Sequence, residues 1–212
     1  MPEKPTLQSA TGDDPVYGYK PSLMGAGWEF RLRPDLHEWR AGRHEGRVRY
    51  GSIARVRLSF RPVTMQSRRF LTEIWPGRGP RLSIASTSWR SLVEQVAQDQ
   101  AYGAFIRELH RRIAAQHSLA QDSLAQISFA QVSFETGSPA ILYWPGLVVF
   151  VGVGLALAAL MVRALQVGEF AGAALVGGFF ALFMWQSGTY FQRNRPGTYR
   201  PDALPKDLVP GG

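Results

Sequence analysis

The chain has no cysteine in its 212 residues, which excludes disulfides, thiol nucleophiles and thiolate metal sites. Lysine is nearly absent as well. Of the 24 basic residues only Lys4, Lys20 and Lys206 are lysine, and the rest are arginine. That bias has two readings, a GC-rich genome or selection for bidentate contacts to anions. The four histidines, His37, His44, His110 and His117, show no metal-ligand spacing and read as surface residues. The glycine turns at 42–46 and 77–79 are followed by no Lys-Ser or Lys-Thr pair, so no phosphate loop is present. No Ser-His-Asp set has a nucleophile turn. The expectation is a protein that is not an enzyme and uses no cofactor and no metal.

Charge is missing from two further stretches, and these organise the chain. Residues 141–162 (ILYWPGLVVFVGVGLALAALMV) and 170–185 (FAGAALVGGFFALFMW) carry no charged side chain. As helices at 1.5 Å per residue they reach about 33 and about 24 Å, against a hydrocarbon core of about 30 Å. The second completes its crossing through Thr189, Tyr190 and Phe191 or by local thinning of the bilayer. A buried hairpin in a soluble core is the alternative, but core helices of this length normally keep a polar face. The pattern predicts two transmembrane helices, about 141–163 and 169–190, joined by a turn.

Two crossings leave both termini on one side. Arg193 and Arg195 follow the second run, and positive charge marks the cytoplasmic side. Arg163 alone argues the other way, and it can snorkel to the headgroups. Both termini are expected in the cytoplasm, in a multi-pass protein of the bacterial inner membrane. Tyr143, Trp144, Trp185 and Tyr190, with Arg193 and Arg195, are the expected interface anchors. Glu169 lies at the outer interface as an ordinary solvated carboxylate. Small residues recur at helix-packing spacing: Ala173, Gly177 and Ala181; Gly168 and Gly172; Gly152 and Ala156, or Gly154 and Ala158. They serve the hairpin itself or a homo-oligomer.

Ahead of the membrane segment, residues 28–112 hold 17 arginines against eight acids, a balance of +9 within a chain total of +8. Residues 1–26 read as a disordered leader, polar and rich in proline. Strand signals follow at 28–32, 36–39, 47–50, 53–60, 70–75 and 81–86. The clearest has Val56, Leu58 and Phe60 alternating with Arg55, Arg57 and Arg61. Residues 87–98 stay ambiguous between a strand and a loop. From about 99 to 116, Tyr102, Phe105, Ile106, Leu109 and Ile113 share one helical face, with Asp99 as its N-cap.

Strands closed by one amphipathic helix, in the segments WEFRLRPDLHEW, RVRYGSIARVRLSF, LSIAS and YGAFIRELHRRIA, resemble the bacterial pleckstrin-homology-like (PH-like) pattern. Tyr50, Ile53, Val56 and Leu58 match its strand motif, and Tyr102, Phe105 and Leu109 match its helix. The resemblance covers about residues 27–117 and implies a fold, an antiparallel β-barrel or sandwich with a C-terminal capping helix, but no catalytic residue. With the hairpin added, the chain resembles an uncharacterised alphaproteobacterial membrane protein family. The expected fold class is therefore α+β plus a transmembrane hairpin.

Residues 118–140 read as a connector. SLAQD, SLAQI, SFAQV and SFETG repeat every five residues, the period of a pentapeptide solenoid, but four copies make only one coil. A local duplication is the plainer reading. If it orders, Ile127, Phe129, Val132 and Phe134 lie against the domain or the headgroups. Residues 192–212, rich in proline, read as an irregular tail.

The functional lead is the cationic set Arg31, Arg33, Arg40, Arg43, Arg47 and Arg49. Near an anionic leaflet each such cation contributes about 1 kcal/mol, so anionic lipid headgroups or a protein partner are the candidate contacts. A solvated basic face is the alternative. Nucleic acid is a weaker partner, because Trp28, Phe30, Trp39 and Tyr50 read as core rather than as a stacking platform. The expected role is a membrane-anchored interaction or scaffold module, with a small regulatory or structural subunit of an oligomeric channel or transporter as the second reading.

Overall fold

A computed structural model describes residues 14–62, 68–91, 94–122 and 132–210, without the side chains of 117–122. The chain divides into two compact units. One runs to Thr136 and resumes at Thr198, and the other is Gly137–Gly197. The class is mixed α+β, with antiparallel sheets and two long apolar helices.

The first unit opens with an antiparallel meander, β1 (Val16–Tyr19), β2 (Trp28–Leu32), β3 (Leu36–Ala41) and β4 (His44–Arg49). A 3-10 turn at Tyr50–Ser52 leads into a second meander, β5 (Ile53–Phe60), β6 (Phe70–Pro76) and β7 (Leu82–Ala85). The stretch that the sequence left open forms a two-stranded sheet, β8 (Thr87–Trp89) with β9 (Gln95–Ala97). Helix α1 (Asp99–Asp122) follows. Its expected face is the buried one: Tyr102, Phe105, Ile106, Leu109 and Ile113 all join the core with Phe30, Leu32, Val56, Leu58 and Ile74. Asp99 is the first residue of the helix, and the Tyr102 amide already donates to the Gln98 carbonyl at 2.8 Å.

Four segments behave differently from the sequence reading, three of them (leader, connector and tail) because pairing distant in sequence completes them. The leader contains β1, whose Tyr17 and Tyr19 lie on one face of the strand and are buried. The Tyr17 hydroxyl donates to the Ala85 carbonyl at 2.6 Å, and the Tyr19 hydroxyl to the Ser83 carbonyl. Residues 1–13 of that leader lie outside the described residues. The helix extends past 116 to Asp122. The connector contains β10 (Ser133–Thr136), which adds in parallel to β5. Val132 is buried and Phe134 packs on the core, while the repeat positions 123–131, with Ile127 and Phe129, lie outside the described residues. The tail is not merely irregular. Leu208 and Val209 are core residues, and Tyr199 and Leu204 pack against them. Its strand β11 (Gly197–Thr198) completes the sheet order β11-β10-β5-β6-β7.

The second unit consists of α2 (Ala140–Gln166) and α3 (Phe170–Arg193). Both are long and apolar enough to cross a membrane, and only 6% of the apolar window of each is buried. A core helix of a soluble domain would be mostly covered, and the described residues do not cover these two. A turn through Gly168, at φ +78°, joins them. Of the two small-residue rows on α2, the one through Gly154 faces α3, since a Cβ there would lie 3.3 Å from Met184 Sδ. Gly177 meets Met161 Sδ at the same spacing, and Ala173 is buried. Gly152 faces open space.

Candidate functional site

In an antiparallel sheet, residues facing each other across strands share one face. The register of β2, β3 and β4 sets Glu29 opposite Arg40 and Arg40 opposite Glu45, and in the next outward row Arg31 opposite Glu38 and Glu38 opposite Arg47. Signs therefore alternate in both directions across the outer face. Contacts follow that order: Arg31 to Glu29 at 3.7 Å, Arg40 to Glu45 at 3.8 Å and Arg47 to Glu38 at 3.2 Å. Arg33 reaches Glu38 at 3.3 Å and Asp14 at 2.8 Å.

A groove of about 510 Å³ runs over this face, lined by these charges with Trp39 and Gly46 at its floor. Trp39 lies flat over Gly46, where any Cβ would come within 2.6 Å of the indole. Of the six arginines singled out in the sequence, Arg31, Arg33, Arg40 and Arg47 line the groove, each beside an acid. Arg43 and Arg49 do not line it. As these pairs are exposed or half-exposed, each contributes little to stability. Their main effect is on the field, which is close to balanced.

The second sheet carries another charged face. Glu135 of β10 stands opposite Arg57 of β5, and Arg57 stands opposite Glu73 of β6. Arg57 Nε donates to Glu135 at 3.1 Å, and Arg55 pairs with the same carboxylate at 3.2 Å. Burial pushes the Glu135 carboxyl up, but the hydrogen bonds from Arg57 and Ser133 and the charges of Arg57 and Arg55 outweigh it and hold it below the usual range. The guanidinium groups of Arg55, Arg57 and Arg81 lie 5.6, 5.1 and 5.9 Å from the Trp75 ring centre, within cation–π reach. Arg81 also pairs with the buried Glu73 at 3.1 Å. Sequence alternation marked Arg55 and Arg57 as outward-facing, but Glu135 lies 78 residues from Arg57, and no local signal joins them.

One cross-strand position breaks the rule. Beyond the Phe60–Phe70 pair, the Arg61 amide donates to the Arg69 carbonyl at 2.8 Å, so two arginines face each other at the end of the β5–β6 ladder. Arg61 and Arg68 are exposed and Arg69 is half-buried. None of the three forms an ion pair with an acid among the described residues, although Asp99 senses the Arg68 charge. Arg69 Nε is buried and has no hydrogen-bond partner among the described residues.

Two histidines read as surface residues are core residues. Burial lowers both His37 and His110 to about 4. His37 lies against Tyr50, and neither of its ring nitrogens has a hydrogen-bond partner among the described residues. In His110, Nδ1–H donates to the Ile106 carbonyl at 2.7 Å and Nε2 accepts from the Tyr199 hydroxyl at 2.7 Å. Both are thus held neutral, and His110 fastens the tail to α1. No cluster of three or more His, Cys, Asp or Glu placed to hold a metal occurs among the described residues.

The expected interface anchors divide. Trp144 and Trp185 are exposed on the helical unit, whereas Tyr143 is buried, its hydroxyl donating to the Phe191 carbonyl at 3.2 Å. Tyr190 meets Ser138 through its hydroxyl at 3.2 Å. Arg193 and Arg195 stand at and just past the end of α3. Comparison with protein-family models gives no match, and comparisons with curated proteins and with solved structures give none either.

Proposed function

We propose that this chain is an integral protein of the bacterial inner membrane, in which a two-helix hairpin anchors a cytoplasmic PH-like domain acting as a non-enzymatic interaction or scaffold module. The observation that carries the reading is the return of the chain. It leaves the first unit at Thr136, runs through two exposed apolar helices, and comes back at Thr198 to bury Leu208 and Val209 in the same core. A tail folded into the domain must lie on the domain's side of any membrane the helices cross. This supports an even number of crossings independently of charge counting. Arg193 and Arg195 then favour the cytoplasmic side. The order of four-stranded meander, three-stranded meander and closing helix supports the PH-like reading.

The cysteine-free background makes the test direct. Single cysteines are introduced as Ser52→Cys in the domain, Gln166→Cys at the end of α2 and Asp202→Cys in the tail. Each is exposed in intact cells or spheroplasts to a membrane-impermeant maleimide. Gln166→Cys should label from outside, and the other two only after permeabilisation. Labelling of Ser52→Cys and Asp202→Cys from opposite sides would overturn the topology. Recovery of the full chain in the supernatant after alkaline extraction would overturn the anchoring itself.

A further inference from the structure

We propose that Arg61, Arg68 and Arg69, at the end of the β5–β6 ladder, form the contact of this domain with anionic phospholipid headgroups. The proposal rests on the membrane-anchored reading and specifies which surface meets the lipid.

Two observations support it. The first is charge pairing. Along the sheets, Arg31, Arg40, Arg47 and Arg57 each face an acid across the ladder, and the groove over β2–β4 is close to neutral. Arg61 and Arg69 face each other instead. Like charges directly opposite are destabilising, and an anion bound between them removes the penalty. The second is strand direction. β10 is parallel to β5, so the C-terminal ends of both strands lie at the same end of the sheet. β10 ends at Thr136, and α2 begins at Ala140. The end of the sheet carrying Arg61 and Arg69 is therefore the end from which the chain departs for the apolar helices.

Ser52, before the start of β5, marks the opposite end. A cation near an anionic leaflet shifts a docked population about fivefold, so Arg61 and Arg68 together are expected to shift it roughly twentyfold to thirtyfold.

The test uses the full chain in lipid nanodiscs, either purely phosphatidylcholine or with a substantial share of phosphatidylglycerol. A bimane label is placed at Pro62→Cys beside the arginines, or at Ser52→Cys as the far-end control. Acrylamide, a neutral quencher, reads access to the label. Phosphatidylglycerol should cut quenching at Pro62→Cys about threefold or more, high salt should reverse the cut, and Ser52→Cys should not respond. The decisive variant is Arg61→Glu. It sets opposite charges across the ladder, so the domain's melting temperature should hold or rise while the lipid effect is lost. Arg61→Gln with Arg68→Gln should lose the lipid effect without unfolding.

No phosphatidylglycerol dependence, an equal response at Ser52→Cys, or full lipid protection in Arg61→Glu would each overturn the proposal. Equal protection by inorganic phosphate in phosphatidylcholine discs would overturn the lipid assignment in favour of a phosphate-ion site. Failure of the anchoring shows separately, as chain recovered outside the discs, and overturns both readings.

Discussion

Gly103 decides whether the tail is part of the domain. It lies within α1, and a Cβ there would come within 1.9 Å of the Pro210 carbonyl oxygen. That carbonyl also accepts from Arg107 at 3.4 Å. Gly103→Ala therefore sets two effects against each other. In a helix interior alanine is favoured over glycine by about 0.8–1 kcal/mol. Against that, a backbone oxygen cannot share space with a methyl group, so the tail must shift or leave. Leu208 and Val209 are 3% and 5% exposed, and burying side chains of this kind contributes roughly 1.5–3 kcal/mol each as an upper estimate. Ordering the tail offsets part of this gain, leaving a net loss of about 1–3 kcal/mol on release. Release should win over helix propensity.

The assay is a pair of measurements on the full chain in detergent. Amide exchange at Leu208 and Val209 should accelerate to the rate of an unprotected chain, and the melting temperature of the domain should fall. The same substitution in a chain truncated after Leu204 should have the opposite sign, raising stability by up to about 1 kcal/mol, because only the propensity term remains. If Gly103→Ala stabilises the full-length chain and leaves the tail amides protected, the tail does not pack at Gly103. The even number of crossings then loses its structural support.

Two further perturbations have definite signs. His37 and His110 are held to about 4 by burial, below an unfolded value of about 6.5. Their contribution to stability is therefore complete above pH of about 6.5, is lost as pH falls from there towards about 4, and is constant below that. Each accounts for on the order of 3 kcal/mol over that window. Urea unfolding followed by tryptophan emission at several pH values should show the loss, and His37→Phe should remove a large share of it, whereas a flat profile would mean the rings are not buried. Gly137 has φ +74°, and a Cβ there would lie 2.3 Å from the Asn194 carbonyl oxygen, which accepts from the Ser138 amide at 3.0 Å. Gly137→Ala should cost roughly 1–2 kcal/mol in left-handed strain alone and speed Ser138 amide exchange about tenfold or more, while unchanged exchange would refute the closure.

What was legible in the sequence is what repeats locally. The alternation of Val56, Leu58 and Phe60 fixes the inner face of β5, and the spacing of Tyr102, Phe105, Ile106, Leu109 and Ile113 fixes that of α1. The apolar runs mark α2 and α3 to within a few residues. What stayed hidden depends on partners far along the chain. β1 has only four residues and becomes a strand by pairing with β2 and reaching Ala85 and Ser83. β10 sits inside a repeat whose period suggested something else, and it is a strand because β5 offers it an edge. Leu208 and Val209 lie among prolines and aspartates, with no periodicity to announce burial. His37 follows the alternation that faces it inward beside Phe30 and Leu32, but its residue type suggested the surface.

Charge is the least legible property of all, because a sequence displays the number of cations and conceals their neighbours. The arginines that looked like an anion site, Arg31, Arg33, Arg40 and Arg47, are matched by Glu29, Glu38, Glu45 and Asp14 once the strands are in register. That matching requires the two-residue strand period to bring opposite signs together on β2, β3 and β4 at once, and a shift of one residue in any strand would send its charges to the core face. The lattice thus helps to fix register even though its single pairs add little stability. Against that background an unmatched pair carries information. Arg61 and Arg69 keep their mutual repulsion at the end of a ladder whose other arginines face acids or uncharged residues. Repulsion retained in a fold is relieved either by solvent or by a bound anion. Arg61 and Arg68 are exposed, so both solvent and an anionic headgroup reach them, and only the headgroup brings the opposite charge that cancels the repulsion.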